Sequence, residues 1–276
     1  MKKICIEGPL EVGKWTEAVQ AGFKAIGQDA AVHYHNGADT LSKISNRLHF
    51  FLRRTGLPGL TVTWKQISNH RVQAMVRRHR CEVLVSLHGL IDEETVQALR
   101  KINPRIRIIY WCAQQVRDQE QITSIKEAAD LADVVALPYL GDCEMLSSRE
   151  SLPATFLPFA ACPVQHRVKM GSKAYKKFSK EVILIGDYSQ YQEDLLCRVS
   201  EALGQAVHVW GQGWSDNQWI TAHGPLYPPQ SLQAFAAARI VLNLHGENCR
   251  EHNGLNPKFF QIAAVGGFQI TEDQPF

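Results

Sequence analysis

The stretch Asn256-Pro257-Lys258-Phe259-Phe260-Gln261 combines a helix start with a cation and an amide. Asparagine is a preferred helix N-cap and proline suits the first helical position, so a helix is predicted to begin at Pro257. The free amides of its first turn and the positive end of its dipole would seat an anion such as a diphosphate. Lys258 in that turn is mildly unfavourable for the dipole, and a bound anion removes the conflict. The plainer reading is a surface lysine that points away. Gln261, one turn on, can donate to and accept from vicinal hydroxyls. Gly266-Gly267 then lets the chain turn tightly into a strand from Phe268 to Thr271.

Other candidate residues stand just after predicted strands, where open α/β sheets bind ligands. These loops read Gly8-Pro9, His88-Gly89, Gly186-Asp187-Tyr188, Gly211-Gln212-Gly213-Trp214 and His245-Gly246. No G-x-G-x-x-G follows the first strand, and there is no Walker lysine motif or G-x-S-x-G elbow. No D-x-D is present, which argues against a metal-held diphosphate.

The elements that must position these residues alternate β and α. "KKICIEG" is a short buried strand, and Trp15, Ala18, Val19, Gly22, Phe23 and Ile26 follow helical spacing. "AAVHYH" is a second strand. Two helices are predicted near 41–54 and 64–79, separated by "TGLPGL". "CEVLVSLHG" is a strand, and Asp92 caps a helix through Lys101. "RIRIIYWC", a helix near 119–131, "DVVALPY", a helix near 142–148 and "ATFLPFA" follow. Near-continuous apolar strands mark a parallel sheet covered on both faces. "CPVQHRVKMGSKAYKKFSK" lacks apolar periodicity and reads as a linker. The rhythm then restarts with "EVILIGD", a helix near 191–203, "AVHVWG", an irregular Gly/Trp loop, the helix "SLQAFAAAR" and the strand "IVLNLHG". The expected fold is α/β with two Rossmann-like parallel-sheet domains, 1–160 and 180–276, joined by a linker over 161–179.

Composition agrees with two domains: 276 residues, 45% hydrophobic and 21% charged, are enough for sizeable cores. No apolar run is long enough to span a bilayer, and the start does not read as a signal peptide. The cysteines, at 5, 81, 112, 143, 162, 197 and 249, are scattered, with no C-x-x-C pair. They are expected to be reduced core residues of a cytoplasmic protein. Between Leu41 and Arg80 there is no Asp or Glu, but there are Lys43, Arg47, Arg53, Arg54, Lys65, Arg71, Arg77, Arg78 and Arg80. That is either a solvated helical face or a surface that meets an anionic lipid, glycan or nucleic acid. Leu41, Ile44, Leu48 and Phe51 on one helix, with Ile67, Ala74 and Met75 on the other, put apolar faces beside these cations, a mixture suited to peripheral membrane contact.

The ordered series "GDYSQYQEDLLCRVSEAL…VHVWGQGW…ARIVLNLHGEN…NPKFFQIAAVGGFQITEDQP" resembles the donor-side half of the CgeB-type, spore-maturation-protein-like glycosyltransferases. "CEVLVSLHGLIDEETVQALR", "IIYWCAQQ" and "TFLPFAACP" resemble its N-terminal half. The resemblance implies a GT-B glycosyltransferase with a nucleoside-diphosphate sugar in the cleft, no cofactor, no essential metal and no nucleic-acid partner. It places Gly186 and Tyr188 in the loop after the first donor-domain strand, and Gly211, Gly213 and Trp214 in a "W-G-x-G-W" turn. Lys258 and Gln261 occupy places where the family usually has the Arg and Glu of R-x-F-E, the first meeting the diphosphate and the second the ribose. Lys for Arg loses the bidentate fork, and Gln for Glu loses a charge-assisted acceptor. Gln114-Gln115 stand where an Asp pair often follows "Y-W". An inverting transfer needs a base near the acceptor hydroxyl, and His88 is the best-placed candidate; a retaining transfer would need none. The expected cleft is lined by Gly8, His88, Tyr188, Gly213 and Lys258. The family pattern continues beyond the last strand, so the second domain is expected to be shortened. Two rival readings are a non-catalytic nucleotide- or sugar-binding relative and, less well supported without a signal peptide, a two-lobed periplasmic binding protein.

Overall fold

The computed structural model describes residues 2–9, 15–34, 64–87, 91–245 and 252–273. The chain divides into two units, Met1–Leu157 and Pro158–Phe276. The first unit is a parallel sheet of β1 (Ile4–Gly8), β2 (Ala30–Tyr34), β3 (Val83–Leu87), β4 (Arg107–Trp111), β5 (Val134–Leu137) and β6 (Thr155–Phe156). Its spatial order is β2-β1-β3-β4-β5-β6. Ile6, Leu84 and Leu87 are fully buried, as expected for strands covered on both faces.

The covering helices are α1 (Trp15–Ala25), α2 (Trp64–His79), α3 (Glu93–Ile102), α4 (Gln119–Leu131) and α5 (Leu140–Glu150). Asp92 and Asp118 cap α3 and α4, each accepting the amide three residues on. α2 buries Val72 and Val76 and packs Met75 against the core beneath it, while Ala74 is exposed and Ile67 half-buried. Arg77, Arg78 and Arg80 at its end stay exposed. The helix expected at 41–54 lies outside the described residues. Cys5 of β1 and Cys81 before β3, expected to be reduced, are joined as a disulfide with Cα atoms 6.1 Å apart. Their spacing of 76 residues hid the pairing, since only the parallel register of β1 with β3 makes them neighbours.

The second unit is a parallel sheet of β7 (Val182–Ile185), β8 (Val207–Trp210), β9 (Ile220–His223), β10 (Ile240–Asn243) and β11 (Gln269–Thr271). The order is β11-β10-β7-β8-β9. Its helices are α6 (Ser172–Phe178), α7 (Gln190–Leu203), α8 (Gln230–Ala237) and α9 (Pro257–Ala264). Residues 161–179, expected as a linker, lie within this unit and carry α6. Phe178 enters its core edge-on to Trp210, with ring centroids 5.9 Å apart. β9, an edge strand, is hidden in the stretch read as an irregular loop. Among the described residues no helix is long and apolar enough to cross a membrane.

Both sheets therefore have the expected α/β, all-parallel build, and each reverses its strand order once. The reversal lies between β1 and β3 in the first sheet and between β7 and β10 in the second. At such a switch point the connections leave in opposite directions and open a crevice at the carboxyl ends of the strands.

Candidate functional site

The second sheet's switch point brings together most of the residues singled out in the sequence. β7 ends at Ile185, and the next residues are Gly186, Asp187 and Tyr188. Backbone pairing continues past the strand: the Gly186 amide donates to Trp210 O at 2.9 Å and the Tyr188 amide to Gln212 O at 2.9 Å. The Gln212 amide donates to Asp187 Oδ1 at 2.9 Å, and the Trp214 indole N–H to Gly186 O at 2.8 Å. A Cβ on Gly211 would fall 1.9 Å from Gly186 O, so only glycine permits this approach. Gly213 has φ +83°, the left-handed region. Gly211 and Trp214 thus build the floor of the corner. Tyr188 is the exposed group on it, its ring edge-on to Trp214 at 5.2 Å and its hydroxyl 2.7 Å from Gln190 Oε1.

α9 starts as its sequence requires. Asn256 is extended (φ −71°, ψ 162°), and its side chain accepts the Phe259 amide at 3.0 Å. Lys258, in the first turn, does not point away: its Nζ donates to Ile185 O at 3.0 Å, at the tip of β7. A Cβ on Gly186 would meet that Nζ at 3.4 Å. Burial pushes the Lys258 ammonium below its ordinary pKa, against the opposing pull of Asp187 and Glu272. An ammonium has three donors, and the Ile185 carbonyl takes one. Gln261 follows one turn later, half-buried.

Polar residues at the strand ends hold α9 in place. Asn256 Nδ2 donates to Asn243 Oδ1 at 3.0 Å, Asn243 Nδ2 to Gln269 Oε1 at 3.0 Å, and Gln269 Nε2 to Phe259 O at 2.9 Å. His245 and Glu272 complete the set with a 3.0 Å contact between Nδ1 and Oε2. Burial raises the Glu272 pKa, but hydrogen bonds from the His245 ring and amide outweigh it and leave the carboxyl below its ordinary range. Sequence reasoning missed Asn243 and Glu272, and noted His245 only by position. Their one signal was a polar residue closing an apolar strand.

The remaining expectations separate. Gly8 ends β1 in the first unit, where a Cβ would meet Thr16 Oγ1 at 2.5 Å and Leu87 Cβ at 3.0 Å. These contacts make glycine a packing requirement at this position. His88 and Gly89 lie outside the described residues. Gln115 accepts from Arg117 at 2.9 Å on the first unit's surface.

A family model described as glycosyl transferase-like matches residues 190–275, from the start of α7 through β11. No curated protein matches the sequence. A glycosyltransferase from Rickettsia africae superposes with a TM-score of 0.56 at 8% identity, over 98% of this chain and 79% of the other. Anabaena HepE, in complex with UDP and glucose, gives 0.56 at 12% identity, over 99% and 87%. The UDP-GlcNAc 2-epimerase of Methanocaldococcus jannaschii gives 0.53 at 12% identity, over 98% and 83%. At these identities the likeness establishes the fold: two parallel α/β sheets as in GT-B glycosyltransferases.

Proposed function

We propose that this protein is a glycosyltransferase of the CgeB-type group, and that its second unit binds the nucleoside diphosphate of an activated sugar. The observation that carries the reading is Lys258, a cation fixed at the switch point of a sheet whose C-terminal part matches a glycosyltransferase-like family. Its two remaining donors and the start of α9 suit a diphosphate. Negative charge grows on that group as the sugar leaves, and a cation placed in advance stabilises it there. Gln261 is placed one turn along for the ribose hydroxyls, and Tyr188 offers an exposed aromatic face. The first unit is left for the acceptor, with His88 as the base of an inverting transfer. The acid-free stretch 41–80 suits an anionic acceptor or lipid surface.

The test is incubation with UDP-, GDP-, TDP- and CDP-sugars, reading thermal shift and release of free nucleoside diphosphate. A donor stabilises the folded state in proportion to its occupancy, so one nucleotide series should raise the melting temperature. Release of diphosphate from that series supports the transferase. Binding without release supports a non-catalytic sugar-nucleotide binder. Replacing His88 with Ala should lower turnover about 10²-fold or more while leaving donor binding intact.

A further inference from the structure

We propose that Glu272 and His245 are positioning residues for the donor phosphates: together they fix the start of α9 and so set where Lys258 stands. This rests on the donor reading above and extends it to residues that do not touch the ligand.

His245 lies two residues past β10 and Glu272 one residue past β11, on adjacent parallel strands. The side chains are 1% and 13% exposed, so their polar atoms must find partners inside the protein. The His245 amide lies 3.1 and 2.9 Å from the two Glu272 oxygens, and ring Nδ1 lies 3.0 Å from Oε2. Thr271 Oγ1 is also 3.1 Å from Nδ1, but its own proton goes to Asn243 O at 2.8 Å. It therefore faces the ring with a lone pair. Two acceptors at Nδ1 place the proton there and leave Nε2 as an acceptor. Nε2 takes the Asn256 amide at 3.1 Å. The N-cap of α9 is thus oriented by a histidine tautomer that Glu272 and Thr271 select. Two residues later Lys258 reaches the Ile185 carbonyl.

Glu272 has a second route to Lys258. Burial works against the ammonium, and the charged groups that support it are Asp187 from the loop after β7 and Glu272 from the end of β11. Removing one carboxylate weakens the hold on the positive charge. Glu272→Gln keeps the shape but removes the negative charge, and it turns the oxygen that receives only the His245 amide into a donor, which weakens the hold on that amide.

The experiment measures binding of UDP and uridine, or of the diphosphate and nucleoside of whichever base the thermal-shift screen selects, by calorimetry on the full chain and on the E272Q, K258A and double variants. We expect E272Q to weaken UDP about tenfold and uridine less than about twofold, with the UDP effect shrinking below about threefold in the K258A background. The alkaline limit of UDP binding should also move to lower pH in E272Q. H245Q should repeat the UDP-selective loss, which keeps the test open if E272Q folds poorly. E272D, which keeps two acceptor oxygens, should recover part of it. Equal losses for UDP and uridine, or an E272Q effect that adds in full to K258A, would overturn the positioning role and leave the donor reading standing. A wild-type chain that binds none of UDP, GDP, TDP and CDP would overturn the donor reading and this role with it.

Discussion

At the switch point of the first sheet, β1 and β3 set a carboxylate and a hydroxyl side by side: Ser86 donates to Glu7 Oε1 at 2.5 Å, and both are nearly inaccessible. Gly8, the next residue, is packed by Thr16 and Leu87, and the Thr16 hydroxyl is itself bound to Pro9 O at 2.7 Å. The described part of this junction closes on itself. At the corresponding point of the second sheet, Gly186 faces the Lys258 ammonium, and polar residues closing β10 and extending β11 hold the helix that carries it. Among the described residues, the same reversal of strand order joins a carboxylate to a hydroxyl in one unit and presents a cation bound to one carbonyl in the other. Topology alone opens a crevice; the side chains at the strand ends decide whether it can hold an anion.

The sharpest way to break this contrast is at the glycines. In Gly211→Ala the new Cβ would fall 1.9 Å from Gly186 O, a backbone atom whose residue is tied to Trp210. Neither side can yield, so the second unit should lose about 3 kcal/mol. Gly8→Ala meets the bound Thr16 hydroxyl at 2.5 Å and Leu87 Cβ at 3.0 Å, contacts less close than 1.9 Å, and should cost its own unit about 2 kcal/mol. Hydrogen exchange by mass spectrometry would read both, and loss of protection spread over the two units would contradict the contrast.

Lys258→Ala tests whether the cation serves a ligand. It should weaken nucleoside diphosphate by ~1.5–3 kcal/mol and the bare nucleoside far less. Equal losses in calorimetry would mean that the bond to Ile185 O serves the fold instead.

Asn256→Ala removes the cap on Phe259 and the bond to Asn243, and should cost about 1 kcal/mol of stability by urea unfolding. A neutral result would mean that α9 is held by its apolar face alone.

The smallest effect is the pH dependence from Glu272. Its folded-state pKa is depressed, so its contribution is complete above the ordinary glutamate value of about 4.3 and is lost as pH falls through the lower folded value. Stability measured between about pH 5 and 2.5 should fall less steeply in Glu272→Gln than in the parent. Identical slopes would show that the carboxylate is not stabilised by His245.

Much of this was legible along the chain because it is local. Apolar strands alternating with capped helices specify two parallel sheets, and Asn256-Pro257 specifies where α9 starts. Gly211 and Gly213 stood out because they follow a strand and match a family turn, while the close approach that requires Gly211 is visible only in the fold. The misses have a common cause. β9 is only four residues, and as an edge strand it needs few apolar ones. α6 holds just Ala174 and Phe178 against the core, too few to show a period.

What only the tertiary structure decided lies at contacts between residues far apart in sequence. Lys258 meets Ile185 across 73 positions, and His245 meets Glu272 across 27. Cys5 pairs with Cys81 across 76. The chain alone could state that a lysine opens α9 without stating where its ammonium ends. That depends on strand order, and strand order is set by how whole helices cover the sheet, a sum of many burial energies that no single residue type reports.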